Sequence, residues 1–155
     1  MRLFLFPFVL LSLTVFGQIT GKVVSVADGD TFTLLTPDKH QIKIRLHGID
    51  CPEKSQDFGM VAKKFLSDLI FDKQVSVQEK DTDRYGRIIG MVMIENVNVN
   101  EALLIAGLAW HYKYYDHNPQ WALLEERARA AKKGLWVKAD AIQPWEFRKA
   151  QRVAP

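Results

Sequence analysis

Residues 19–49 read ITGKVVSVADGDTFTLLTPDKHQIKIRLHGI, three runs rich in Val, Ile, Thr and Leu separated by ADGD and PDKH. Those separators have turn compositions, so the stretch reads as three short strands in an antiparallel meander. The period then changes. Phe58, Val61, Ala62, Phe65, Leu66, Leu69 and Ile70 recur at helical spacing, and Asp72 and Lys73 end the run. KQVSVQEK and RIIGMVMIEN return to alternation, joined by the polar connection DTDRYG, which gives the order βββαββ. VNEALLIAGLAW predicts a helix ending near Gly107, and PQWALLEERARAAKKGLW a further one, with Pro119 near its start and Gly134 as its C-cap. The tail from Val137 is expected to pack down through Trp145 and Phe147. Five strands too short for a flat open sheet, with a helix between the third and fourth, suit a closed Greek-key barrel of the OB type. The fold class expected is therefore α+β: a five-stranded OB-fold barrel with three α-helices.

The 155 residues, 48% hydrophobic and 25% charged, are enough for one domain with a core that needs no disulfide staples. Residues 1–17, MRLFLFPFVLLSLTVFG, carry Arg2, an apolar run from Leu3 to Phe16 and a small residue at Gly17. This is the layout of a secretory signal peptide, with cleavage expected just before Gln18. A retained anchor is the alternative, but the apolar run falls short of the roughly 20 residues a bilayer-spanning helix needs. The expected mature domain is 18–155, secreted or periplasmic.

Cys51 is the single cysteine, so no internal disulfide can form, which leaves a free thiol, an intermolecular bridge or simple packing. Net charge is +3, and loss of Arg2 with the signal leaves +2, compatible with a polyanionic ligand without establishing one. Basic residues thicken at Arg127, Arg129, Lys132, Lys133, Lys138, Arg148, Lys149 and Arg152, either as a solvated helix face or as a nucleic-acid patch.

Carboxylates gather at strand ends: Asp28 and Asp30 in ADGDT, Asp50 and Glu53 in GIDCPE. If they meet at one end of the barrel they raise one another's pKa unless a cation or a proton relieves them, and hard oxygen ligands favour Ca²⁺ or Mg²⁺. An EF-hand is excluded, because counting from Asp28 places Thr33 at loop position 6 and Lys39 at position 12. Zinc is disfavoured by the lone Cys51 and the unpaired spacing of His40, His47, His111 and His117. Taken alone, ADGDT also reads as a plain turn. Arg45 inside a strand, and Arg84 and Arg87 flanking Tyr85-Gly86, can offer a planar fork to a phosphate, or Arg45 and Arg87 simply pair with Asp50 and Glu53. Acids for a hard cation, a separate glutamate and two or three arginines are the parts that phosphodiester hydrolysis needs. Glu53 is the best base candidate, because Pro52 fixes the turn that aims it together with Asp50.

ADGDTF, IRLHGIDCPE, DTDRYGR and VNEALLIAGLA, in this order, resemble the thermonuclease family typified by staphylococcal nuclease, from about Ile19 to Trp136. The resemblance implies an OB-fold barrel with three helices and a Ca²⁺-dependent extracellular nuclease that cleaves DNA and RNA to 3′-phosphate ends. It also implies that Asp30 and Asp50 are calcium carboxylates, that Cys51 contributes its backbone carbonyl and that Glu53 is the general base. By the same resemblance Arg45 and Arg87 bind the phosphate and stabilise the transition state, and Arg84, Tyr85 and Tyr115 touch the substrate. Two departures stand out. The loop KSQDFG after Glu53 is several residues shorter than in the staphylococcal enzyme, and Arg84 stands where that enzyme has a lysine. No protein partner is implied, and a monomer is expected. The competing readings are a non-catalytic OB module that binds nucleic acid, and a hydrolase or redox protein built on the Cys51 thiol.

Overall fold

The computed structural model describes residues 18–153; the expected signal segment and residues 154 and 155 lie outside them. Strand β1 (Gln18–Val26) pairs antiparallel with β2 (Thr31–Leu35), and β2 with β3 (Gln41–Leu46). A two-residue β4 (Ile49–Asp50) follows, then helix α1 (Gly59–Ile70). β5 (Gln74–Thr82) lies along the free edge of β1, and β6 (Ile88–Ile94) returns beside β5. Parallel pairing of β3 with β6, Arg45 opposite Ile89, closes the five strands into a barrel. Closure leaves no open edge among them.

Alternation fills the barrel. Ile44 and Leu46 of β3 point inward and are buried, while Arg45 between them emerges on the outer face. Val23, Phe32, Leu34, Val77 and Val92 supply the rest of the interior from the other strands. α1 closes one side through Ala62, Leu66 and Ile70. Each such large side chain contributes about 1.5 to 3 kcal/mol by leaving water.

After β7 (Val97–Asn98), helix α2 (Val99–Ile105) presses Val99, Leu103 and Leu104 into the same core. Its buried Asn100 accepts from Val92 N at 3.0 Å and donates to His47 O at 2.9 Å. That side chain fixes the turn between β3 and β4, and so the place of Asp50. β8 (Trp110–His111) pairs with β4, and α3 (Pro119–Ala130) docks on α2 through the Trp121 Nε1 bond to Glu101 at 2.9 Å.

The expected barrel is present, but among the described residues four α-helices stand where three were expected. The fourth, α4 (Pro144–Val153), forms in the tail, and a 3₁₀ turn, Gly134–Val137, precedes it. Gly134 is not the C-cap expected of α3, which ends at Ala130. Its φ of 52° and its approach to Gly107 show why it is glycine: an added Cβ would lie 2.3 Å from Gly107 O. Gly134 serves close packing of two turns rather than the end of a helix.

Candidate active site

Strand register brings the site together. Thr31, at the start of β2, lies opposite Arg45 of β3, which in turn lies opposite Ile89 of β6. Cross-strand partners share a face, so Asp30-Thr31, Arg45 and the segment entering β6 at Arg87 converge outside one end of the barrel. β4 then delivers Asp50, followed by Cys51, Pro52 and Glu53.

The carboxylates meet as their spacing implied. Arg45 Nη1 donates to Asp30 Oδ1 at 3.2 Å, and Nη2 to Asp50 Oδ1 at 2.7 Å, so one guanidinium spans both acids. Asp30 is 4% exposed and Asp50 is fully buried. Asp30 Oδ2 also accepts from Cys51 N at 3.1 Å, and Asp28 Oδ1 accepts from Asp30 N at 3.1 Å. Burial, reinforced by Asp30, pushes the Asp28 carboxyl up to about 6. Burial likewise lifts Asp50, with Asp30 adding to it against the bond from Arg148 and the charge of Arg45. Arg45 is held firmly cationic, by Asp30 first and then Asp50, against its burial.

Cys51 is buried in the hydrophobic core, and Sγ donates to Gly29 O at 3.2 Å. Burial and the neighbouring carboxylates of Asp30, Asp50 and Asp28 push its thiol well up. A thiol held in its protonated form is a poor nucleophile, so the reading of Cys51 as a chemical centre loses its basis. What Cys51 does here is stitch the Gly29-Asp30 turn to β4.

Glu53 sits at the mouth, its side chain 37% exposed. Its backbone is pinned: Glu53 N donates to Gln56 Oε1, and an added Cβ at Gly59 would lie 1.8 Å from Glu53 O. The short loop after Glu53 leans on the segment before α4, through Gln56 Nε2 to Ile142 O at 3.2 Å and a Lys138–Asp57 ion pair.

In the sequence Arg148 is only one of several C-terminal basic residues. The structure places it on α4 and inserts it between the acids: Nη2 donates to Asp50 Oδ2 at 2.7 Å, Nη1 to Glu53 Oε1 at 2.7 Å and Nη1 to Asp50 Oδ1 at 3.3 Å. Neither reading of that basic run fits all of it, because Arg129 also lies over the rings of Trp136 and Trp110 and pairs with Glu125. Only the separation of Arg148 from Asp50 along the chain hid it; α4 shows the amphipathic charge pattern of a solvated helix.

Arg87 does not pair with Glu53. Its Nε donates to Asp83 Oδ2 at 2.7 Å, and Nη1 reaches Thr31 Oγ1 at 3.5 Å, which holds the guanidinium beside Asp30. Asp83 also accepts from the Tyr85 and Arg87 amides, so it shapes the hairpin turn that presents them. Arg84 and Arg87 both lie against the ring of Tyr85, which is 68% exposed. Tyr115 is 62% exposed and packs edge-on against Tyr112 and Tyr114. Arg84, Tyr85 and Tyr115 therefore stand at the rim, and among the described residues none of them bonds to the buried acids.

Among the described residues no three His, Cys, Asp or Glu side chains converge as a metal cage. The donor set nevertheless fits a hard cation: two buried carboxylates with oxygen ligands only, Asp50 being paired with the guanidiniums of Arg45 and Arg148. Such a cation would complete its shell with water.

A family model described as Staphylococcal nuclease homologue matches residues 43–138. An endonuclease of Haemophilus influenzae, itself described as uncharacterized, is 42% identical over 134 residues, covering 86% of this chain and 75% of the relative. A similarly described endonuclease of Escherichia coli is 41% identical over 133 residues, covering 85% and 86%. A micrococcal nuclease of Shigella flexneri is 36% identical over 156 residues, covering 94% and 89%.

Proposed function

The chain belongs to the family of staphylococcal nuclease homologues and is a nuclease; from that premise we propose that it is a secreted, Ca²⁺-dependent phosphodiesterase that cleaves both DNA and RNA and leaves 3′-phosphate ends. The observation that carries this reading is the single guanidinium of Arg45 spanning buried Asp30 and Asp50, with Glu53 and Arg87 at the same barrel end. Asp30, Asp50 and the Cys51 carbonyl would hold the cation, which when bound supplies positive charge to a phosphoryl oxygen and acidifies its water.

The chain's own residues perform the remaining steps. Arg45 and Arg87 orient the scissile phosphate and neutralise the charge that builds on its oxygens in the transition state. Glu53 accepts a proton from the attacking water, and the P–O5′ bond breaks with the 5′-oxygen taking a proton from solvent, which leaves a 5′-hydroxyl and the phosphate on the 3′ side. Arg84 and Tyr85 receive the neighbouring phosphate and sugar, and Tyr115 offers an exposed ring to a base. A monomer suffices, since every proposed group comes from one chain.

Export rests on the sequence of residues 1–17. Among the described residues no helix is long and apolar enough to cross a membrane. Incubation of the purified mature protein with single- and double-stranded DNA and RNA in Ca²⁺, Mg²⁺ or chelator, with mapping of product ends, tests the reading. Cleavage in Ca²⁺ to 3′-phosphate products is expected; intact substrates in millimolar Ca²⁺ would refute it.

A further inference from the structure

The position of α4 is the feature that the nuclease reading does not explain. The helix starts beyond the last residue of the segment matched by the family model, yet it sends Arg148 into the centre of the acid cluster. Both Asp50 oxygens accept from Arg148, and one Glu53 oxygen does as well. Those are the lone pairs that a cation ligand and a general base must have free.

The rest of the helix is shallowly seated. Pro144 is its only buried residue among those described. Trp145 stacks on Tyr112 at 4.7 Å and 8° between planes, and Phe147 shares a surface cleft with the loop residues Pro52 and Phe58. Docking is therefore held by buried Pro144, by Trp145, which also packs edge-on against Trp110, by the partly exposed Phe147 and by one guanidinium. Elements with little buried surface are the ones that open most readily.

We propose that α4 is an autoinhibitory strap whose Arg148 competes with the divalent cation for Asp50 and covers Glu53. Arg148 must withdraw from Asp50 and Glu53 before these carboxylates can take Ca²⁺ and a water proton, so loading the site releases the strap. The inference rests on the assignment of Asp50 as a metal ligand. Its physical basis is an exchange of counter-cations: Asp50 is fully buried, and beside Arg45 its second counter-cation is first Arg148 and then the divalent ion. A helix as short as α4 is not stable in water by itself, so on release it should also unravel.

Two variants of the full mature chain separate release of the strap from mere loss of charge. Arg148→Gln removes the guanidinium, whereas Trp145→Ala loosens docking and leaves every charge in place. If the strap is seated about nine-tenths of the time, removing its hold tightens apparent Ca²⁺ binding about tenfold. Calorimetric titration with Ca²⁺ alone is expected to show tighter binding in both variants. Hydrogen exchange should show the amides of α4 losing protection in the wild type when Ca²⁺ is added.

Unchanged or weaker Ca²⁺ binding by Trp145→Ala, or an α4 equally protected with and without Ca²⁺, would overturn the strap. Asp50→Asn serves as the reference for the underlying reading. If Asp50→Asn binds Ca²⁺ as the wild type does, the metal assignment fails and the strap fails with it. If Asp50→Asn loses binding while Trp145→Ala and Arg148→Gln match the wild type, only the strap fails.

Discussion

Asp50 on β4 and Asp116, bonded to His111 of β8, are the acids of two hydrogen-bonded clusters, and they behave in opposite ways. Asp116 accepts from Asn118 N at 2.9 Å and lies 2.9 Å from His111 Nε2 and 3.2 Å from His47 Nε2. Burial works against its ionisation, but these bonds outweigh it and hold the carboxyl below the usual range. Asp50 has stronger partners, two arginines, and yet its carboxyl is held above the usual range, by burial and by Asp30. The difference lies first in burial, since the Asp50 side chain is 1% exposed and that of Asp116 16%, and then in the company: Asp116 is the one acid among its donors, whereas Asp50 faces Asp30 across Arg45. A structural cluster satisfies its charge locally. Asp30, Asp50 and Asp28, gathered around the Arg45 guanidinium, form a seat that a divalent cation would suit.

The largest separation between the clusters is expected in turnover. Glu53→Ser or Arg87→Gly should lower cleavage about 10² to 10⁴-fold, the usual cost of removing an acid-base or charge-stabilising group, with circular dichroism unchanged. Full activity in either variant would mean that the roles are misassigned. Asp116→Ala should do the reverse. It should cost about 2 kcal/mol of stability in chemical denaturation by stripping His47, His111 and the Asn118 amide of their acceptor, while activity per folded molecule persists.

A smaller effect distinguishes the clusters by pH. Asp28 has a folded pKa of about 6, above its ordinary 3.8, so between those values the folded state holds a proton that the unfolded state has lost. Stability in chelator should therefore fall as pH rises through that window and stay level above it. Asp28→Asn, which keeps the acceptor for Asp30 N, should raise the melting temperature at pH 7.5, with the gain vanishing toward pH 4. A gain that instead grew toward pH 4 would contradict the assigned sign. The smallest effect belongs to Cys51. Cys51→Ala should cost about 1 kcal/mol and keep most activity, and alkylating reagents should leave the native enzyme active; near-complete loss with normal folding would reopen the thiol reading.

Much of this was legible from the chain because it depends on local signals. β1, β2 and β3 follow from alternation and turn residues, and Asp30, Arg45 and Asp50 fall at strand ends that short-range patterning places. Long-range geometry was not legible. The parallel β3–β6 closure and the two-residue β4 and β8 carry no periodic signature of their own. Thr31 and Asp83, which aim Arg87, resemble ordinary strand and turn residues until register brings them beside it. Arg148 lies on a helix whose mostly polar surface gives no hint of a buried partner. The sequence showed the acids and arginines, but not which arginine would hold Glu53.

The claim that the cluster around Asp50 is a metal seat is tested most directly by titrating Ca²⁺ into a DNA-cleavage assay with the wild type, Asp50→Asn and Asp116→Asn in parallel. The account predicts that Asp50→Asn raises the Ca²⁺ needed for half-maximal cleavage by at least about tenfold or abolishes cleavage, while Asp116→Asn leaves that midpoint unchanged below its melting temperature. An unchanged midpoint in Asp50→Asn, or wild-type cleavage indifferent to Ca²⁺ and chelator, would contradict it.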